Sequence, residues 1–279
     1  MRLNVLLIVM LGSATFVGMS SCTNTKSDNA TEIQEQQEIK ITGAATPYPA
    51  LKKLADAYQD RGVKITFLPA SQSPGGISGV KDGLVEIGTV TRKIKPEEDN
   101  GKLEYREVAK DALVVATHQS VEGVKDLSAE QLKGIYSGTI TNWRELGGPD
   151  ATIVLLDRPE DESAKRLLRE HYLGAELKNS PQAVVLRHEG DLIAAVENTP
   201  YSIGAFSLAR SLANNLPVNR LSLDGIAPTP ENVRQGKYPM ARTLGVVFNK
   251  NPTPTVRDFI DFMDASEATD ALEQSGYVP

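Results

Sequence analysis

Eight short runs of mainly β-branched and aliphatic residues recur along the chain, separated by helical patterns. They are Ile39–Thr42, Val63–Leu68, Glu86–Val90, Ala112–Thr117, Thr152–Leu156, Ala183–Leu186, Ser202–Phe206 and Leu244–Phe248. Several are nearly all apolar, as strands covered on both faces must be. Helices are expected at Pro49–Gln59, Ser128–Ile135, Pro159–Leu173, Asp191–Asn198 and Pro254–Ser275. The first opens on proline and sets Leu51, Leu54, Ala55 and Tyr58 on one face. Strands alternating with helices predict an α/β fold of mostly parallel sheets with helices on both faces.

The N-terminus lies outside that pattern. Arg2 precedes an apolar run, Val5–Leu11, and small residues lead to Met19-Ser20-Ser21-Cys22. Residues 1–21 read as a secretory signal peptide, too short to span a bilayer stably. Its end resembles a bacterial lipobox, which implies cleavage before Cys22 and lipidation of Cys22. The alternative is an ordinary signal peptide with Cys22 unmodified. Cys22 is the only cysteine, so no internal disulfide is available. Residues 22–38 are polar, carry Ile33 as their one aliphatic residue, and read as a flexible tether. Loss of residues 1–21 removes Arg2 and moves the formal net charge from −6 to −7. That balance argues against a nucleic-acid partner, which needs a clustered basic face.

In α/β sheets ligands bind beyond the carboxyl ends of the strands. Those ends carry Gly43-Ala-Ala-Thr-Pro-Tyr-Pro49, Ser71-Gln-Ser-Pro-Gly-Gly76, Thr91-Arg92 and Asp157-Arg158. Hydroxyls, glycines and two arginines at successive strand ends suit a tetrahedral oxyanion. Taken singly, each piece is ordinary: Thr46 or Ser73 as a helix cap, Gly75-Gly76 as a turn, Arg92 as a surface charge.

Five segments together resemble the phosphate-binding proteins of bacterial ABC import systems, a PstS-like family with the two-lobed type II periplasmic binding fold. They are GAATPYPALKKLADAY (43–58), SPGGISGVKDGLVEIGTVTR (73–92), GIYSGTITNWRELGGPDATIVLLDR (134–158), TPYSIGAFSLA (199–209) and DFIDFMDASEATDALEQSGYVP (258–279). SGTITNW and the terminal GYVP are the most specific. The resemblance implies a ligand cleft between two lobes, residues 39–115 plus 244–279 and residues 116–243. Crossing segments fall near Ala112–His118 and Arg242–Phe248. It implies a monomer in the periplasm, anchored through Cys22, that hands inorganic phosphate to membrane permease subunits and needs no cofactor. Carried over position by position, the ligand-binding residues are Thr46, Ser73, Thr91, Arg92, Arg158, Glu162 and Ser163. Ala45 replaces a second hydroxyl of the first loop. Glu162-Ser163-Ala164 stands where the family has Ser-Gly-Thr, which opens the reading to other oxyanions such as sulfate, molybdate or tungstate. A sensory or adhesive lipoprotein with the same fold is a further alternative.

The stretch DRPEDESAKR (157–166) concentrates this question. Glu160 and Asp161 read as an acidic first turn, with Asp161–Lys165 and Glu162–Arg166 as i,i+4 pairs. Glu162 has two readings. It accepts a hydrogen bond from a protonated oxyanion, or it pairs with Arg166 and leaves Ser163 to donate. An enzyme is the least supported class. Ser78-Gly-Val-Lys81 fits an S-x-x-K nucleophile pattern but has no K-T-G partner. His118, His171 and His188 lack partners at metal spacing.

Overall fold

The computed structural model describes residues 37–279. The expected signal peptide, Cys22 and most of the tether lie outside the described residues. The first elements are β1 (Glu38–Gly43), α1 (Tyr48–Tyr58), β2 (Lys64–Phe67), α2 (Gln72–Lys81), β3 (Ile87–Val90) and the long β4 (Leu103–His118). Next come β5 (Asp126–Leu127), α3 (Ala129–Ser137), β6 (Val154–Asp157), α4 (Ser163–Leu168), β7 (Val184–Val185) and α5 (Glu189–Asn198). The chain continues through β8 (Ser202–Ser207), α6 (Leu208–Ala213), β9 (Val218–Arg220), β10 (Ser222–Leu223) and α7 (Pro230–Arg234). It closes with β11 (Ala241–Asn249), α8 (Pro254–Phe262) and α9 (Ser266–Gln274).

The main sheet runs β2-β1-β3-β11-β4-β8-β6-β7, with β9 also on β4. Pairs at each end are parallel, β2-β1-β3 on one side and β8-β6-β7 on the other. The middle is antiparallel, β3-β11-β4-β8. Thus β4 and β11 join two βαβ halves. β4 pairs with β11 through Ala112 and with β8 from Leu113 onward.

The core divides at the same place. One cluster gathers residues between Ala112 and Met240, together with Val278. The others gather residues between Ile39 and Ala109 and between Leu244 and Tyr277, together with Ala209. At the C-terminus the backbone of Val278 exchanges two hydrogen bonds with Lys110, so the last residues lie against the middle of β4.

Local chemistry accounts for the elements. Ser128 and Gln131 form a reciprocal capping box at α3, which ends on Gly138 in the left-handed region (φ 77°). α1 buries Ala50, Leu51, Leu54 and Tyr58, close to the expected face. α2 was not expected, because Gly75-Gly76 reads as a turn. Those glycines instead let the helix lie on the sheet backbone. A Cβ on Gly88 would fall 2.4 Å from the Gly76 carbonyl oxygen, and one on Gly76 would fall 2.9 Å from the Gly43 Cα.

The expected helix Pro254–Ser275 is two helices. A straight continuation would carry Asp264 into the apolar stripe of Val256 and Ile260. The chain turns there instead, and Asp264 pairs with Arg106 at 2.9 Å. The expected helix from Pro159 begins at Ser163, because residues 159–162 close a turn through Glu162 N–H to the Pro159 carbonyl (3.0 Å). It then continues as one π turn, Arg169–Leu173.

The contact of α2 with the sheet is testable. Gly88→Ala is expected to lower stability by about 1–3 kcal/mol, the usual cost of overpacking. Urea unfolding measures it, and a midpoint equal to wild type would show that the contact is not close.

Candidate functional site

A cavity of about 310 Å³ is lined by residues from several strand ends and helix starts. The loop after β1 contributes Ala45, Thr46 and Pro49, and the loop after β6 contributes Arg158, Glu162 and Ser163. The start of α5 adds Arg187, His188 and Glu189. Ser207 and Arg210 come from the start of α6, while Asp111 and Arg242 come from β4 and β11. Tyr277 closes the wall, its hydroxyl pushed up by burial. Four arginines therefore face three carboxylates.

Two of these carboxylates are fully engaged. Asp111 and Arg242 are register partners on adjacent strands, with Arg242 Nη2 2.8 Å from Asp111 Oδ2. The other Asp111 oxygen accepts from the Ala209 N–H at 3.1 Å. Burial alone would lower the Arg242 pKa; attraction to Asp111 and Glu189 outweighs it and holds the pKa above the ordinary value. Glu189 accepts from the Ser207 N–H (3.0 Å) and from Arg210 (2.9 Å). Ser207 also caps α6 by accepting from the Arg210 N–H at 3.1 Å.

Arg158 is different. Its side chain is only 8% exposed, yet Nε and Nη1 are buried with no hydrogen-bond partner. Nη2 forms an ion pair with Glu162 Oε2 at 3.1 Å. Such donors are costly to leave unmet. The arginine is placed by its neighbour. Asp157, at the end of β6, accepts the Arg158 N–H at 2.7 Å and is neutralised by the buried Lys165. Lys165 also donates to Asn179 (3.1 Å) and lies 4.8 Å from the centre of the Tyr136 ring.

The acidic stretch departs from the expected solvated first turn. Lys165 is wholly buried on Asp157, so it does not pair with Asp161. Asp161 pairs with Arg187 at 3.1 Å. Arg166 donates to the Asp161 carbonyl, and Glu162 turns to Arg158 and, at 3.7 Å, to Arg187. The cause is the turn at 159–162, which removes these acids from the helical spacing that the pairs required. Glu160 is clamped by Arg169 at 2.6 Å, with Asn179 donating a second hydrogen bond.

Of the sequence-predicted residues, Thr46, Arg158, Glu162 and Ser163 line one cavity. Ser73, Thr91 and Arg92 do not line it. Ser73 is buried and its hydroxyl accepts from the Thr91 N–H at 3.2 Å. Arg92 is held by Glu98 through both terminal nitrogens, at 2.7 and 2.6 Å. This pairing holds the Glu98 carboxyl down at about 2 and raises the arginine. Sequence reasoning missed Asp111, Arg187, Glu189, Ser207, Arg210, Arg242 and Tyr277. A charged Asp111 inside a strand of buried neighbours was the one available signal. Among the described residues no group of three or more His, Cys, Asp or Glu side chains is placed to hold a metal ion. No helix among them is long and apolar enough to cross a membrane.

Two α/β halves on paired crossing strands define the two-lobed fold of type II periplasmic binding proteins. The chain belongs to the PBP superfamily: the family's domain model matches residues 28–267. It is 28% identical over 290 residues to the phosphate-binding protein PstS of Borreliella burgdorferi, covering 100% of this chain and 99% of that one. It is 27% identical over 291 residues to PstS of Bacillus subtilis, covering 100% and 95%. Among solved structures it is similar to a putative phosphate ABC transporter substrate-binding protein with bound phosphate from Clostridium perfringens. There the TM-score is 0.73 and the identity 29%, over 87% of this chain and 99% of that one. PstS from Borrelia burgdorferi matches with a TM-score of 0.61 and 27% identity, over 87% and 98%.

Two predictions follow from the ion pairs. Asp111→Ala leaves Arg242 buried beside unmet donors and is expected to cost about 3–5 kcal/mol in urea unfolding. A loss under about 1 kcal/mol would show that the pair is not buried in solution. The Arg169 clamp holds the Glu160 carboxyl at about 2, below its ordinary 4.5. That depression contributes stability fully present above pH 4.5 and lost as the pH falls toward 2. Glu160→Gln is therefore expected to flatten the fall in urea midpoint between pH 5 and 2.5. An unchanged slope would refute the clamp.

Proposed function

We propose that this chain is an extracytoplasmic solute-binding protein that captures inorganic phosphate in a cleft between its two lobes and delivers it to an ABC permease. The observation that carries this reading is Arg158. A buried guanidinium that keeps two unmet donors beyond its pair with Glu162, in a cavity lined by three further arginines, is favoured by a bound anion that supplies the missing acceptors. Phosphate is the oxyanion named in the relatives at 27–29% identity. Residues 39–115 plus 244–279 form one lobe in this reading and residues 116–243 the other, which fits the division of the core. Arg158 and Ser163 grip the anion from the second lobe and Thr46 from the first. Ser73 and Thr91, at the neighbouring strand ends, reach it when the lobes close. Arg92, already engaged by Glu98, supports the Thr91 loop.

The same reading gives the chain no covalent chemistry. It makes Cys22 the lipid anchor that keeps a monomeric receptor at the membrane surface beside its permease.

Calorimetric titration of the purified protein with phosphate, sulfate, molybdate and tungstate tests the assignment. Phosphate is expected to bind, and Arg158→Ala is expected to weaken it at least about 30-fold, or ~2 kcal/mol, as loss of a buried charged partner does. A folded protein that binds none of these oxyanions overturns the reading. Tighter binding of another oxyanion replaces phosphate as the ligand.

A further inference from the structure

Two cations on the helical segment that follows Arg158 turn away from the cavity. Lys165 and Arg169 are four residues apart, the spacing that sets helical side chains on one face. Lys165 is wholly buried, a place lysine rarely takes without a partner. Its ammonium holds Asp157, donates to Asn179 Oδ1 at 3.1 Å and lies 4.8 Å from the centre of the Tyr136 ring. Arg169 donates to the same Asn179 oxygen at 3.1 Å and clamps Glu160. The Asn179 amide nitrogen donates to Glu160 at 2.6 Å. Asn179 is thus the hub of one network. Arg169 fixes the segment that carries this hub, donating to the carbonyls of Gly174 (2.8 Å) and Leu177 (3.0 Å). The network absorbs Asp157 and Glu160, the acids one residue before Arg158 and two residues after it. Lys165, Arg169 and Asn179 do not line the cavity.

We propose that Lys165 is a positioning residue for anion binding: it never touches the ligand, and it sets the affinity of Arg158 by holding Asp157 neutralised and aimed at the Arg158 backbone. This inference rests on the phosphate reading above. The physics has two parts. The first is charge. Asp157 is 2% exposed, so water screens its carboxylate poorly. Without the lysine it would place a full negative charge one residue from the guanidinium, repelling an arriving anion and competing with it for Arg158. The second part is geometry. One Asp157 oxygen accepts the Arg158 N–H at 2.7 Å while Lys165 holds the other, so the carboxylate is fixed at both ends. Held at one end only, it is free to rotate, and the Arg158 backbone loses its fixed acceptor. A cation suits this place better than a neutral donor, because only a cation cancels the charge of Asp157. The cost of burying it is offset by two oxygen acceptors and an aromatic face, the kind of setting in which a buried pair is tolerated. The Tyr136 hydroxyl is buried with no partner, so it is the ring that Tyr136 offers the ammonium.

The experiment is phosphate titration calorimetry of the purified protein, on wild type, Lys165→Met, Lys165→Gln and the double variant Lys165→Met with Asp157→Asn. Circular dichroism reports folding. Each single variant leaves Asp157 charged and is expected to weaken phosphate at least about tenfold, or ~1.4 kcal/mol. The double variant removes both charges and keeps an amide oxygen for the Arg158 N–H. It is expected to bind within about threefold of wild type, because a neutral pair can replace a buried ion pair. A folded single variant that loses less than this overturns the proposal. So does a folded double variant that stays weaker than its expected range, which would make Lys165 a structural residue of the core. Where neither single variant folds, the double variant decides by the same criterion. If wild type binds no oxyanion, the phosphate reading itself fails, a result distinct from all of these.

Discussion

The pair between Asp111 and Arg242 is the interaction on which the rest of the arrangement depends. It lies where β4 and β11 pass from one half of the molecule to the other, between the point where one core ends and the next begins. Apolar side chains there would fuse the two cores into one. An ion pair extends neither core. The pair also reaches beyond its own strands, because Asp111 accepts from the backbone at the start of α6. Arg242 faces Glu189 at the start of α5, at 4.0 Å. Crossing strands, two helix starts and the cavity wall thus share one electrostatic junction. Buried pairs of this kind add little net stability but are costly to break; what this one supplies is a fixed polar seam between two hydrophobic bodies.

Given that seam, the cavity can be read by which charges are already spent. Arg210 and Arg242 are committed to Glu189 and Asp111, and Arg187 is divided between Asp161 and Glu162. Only Arg158 is both buried and short of partners. A site with a surplus of cations is usually described by its net charge, but net charge would assign all four arginines the same role. Hydrogen-bond satisfaction separates them: three are matched to carboxylates, and Arg158 keeps two donors unmet.

Much of this was legible in the sequence, and the failures have physical causes. The alternation of apolar runs with helical patterns gave the α/β class, and the strand ends gave Thr46, Arg158, Glu162 and Ser163, which the fold brings together. The first half of β4 was invisible because its period-2 signal breaks at Val108, where the register with β11 slips between Leu244 and Gly245. Helix α2 was invisible because glycine reads as turn propensity, whereas Gly76 and Gly88 are there to let backbone meet backbone. The Asp111–Arg242 junction joins residues 131 apart in the chain, which no local pattern reports. Helical spacing also misassigned the partners of Asp161 and Glu162. Pair rules hold only once the helix has begun, and here it begins at Ser163.

One feature of the 157–166 stretch would defeat an anion site if it stood alone. Asp157 sits immediately before Arg158, and its carboxylate accepts the Arg158 N–H at 2.7 Å. Were it free, it would neutralise Arg158 and repel the ligand. Lys165 prevents this from within the core, taking one Asp157 oxygen while the Arg158 N–H takes the other. The carboxylate is thereby converted from a rival charge into a positioning device for the arginine's backbone. Glu160 is removed from the contest in the same way, by Arg169 and Asn179, and Asp161 by Arg187. Four acids lie within six residues of sequence, and three are matched to Lys165, Arg169 with Asn179, and Arg187. The fourth, Glu162, has been left beside the one arginine that still has donors to give. All four acids of the stretch are thus paired with cations, and Glu162 differs only in that its partner, Arg158, keeps two buried donors unmet.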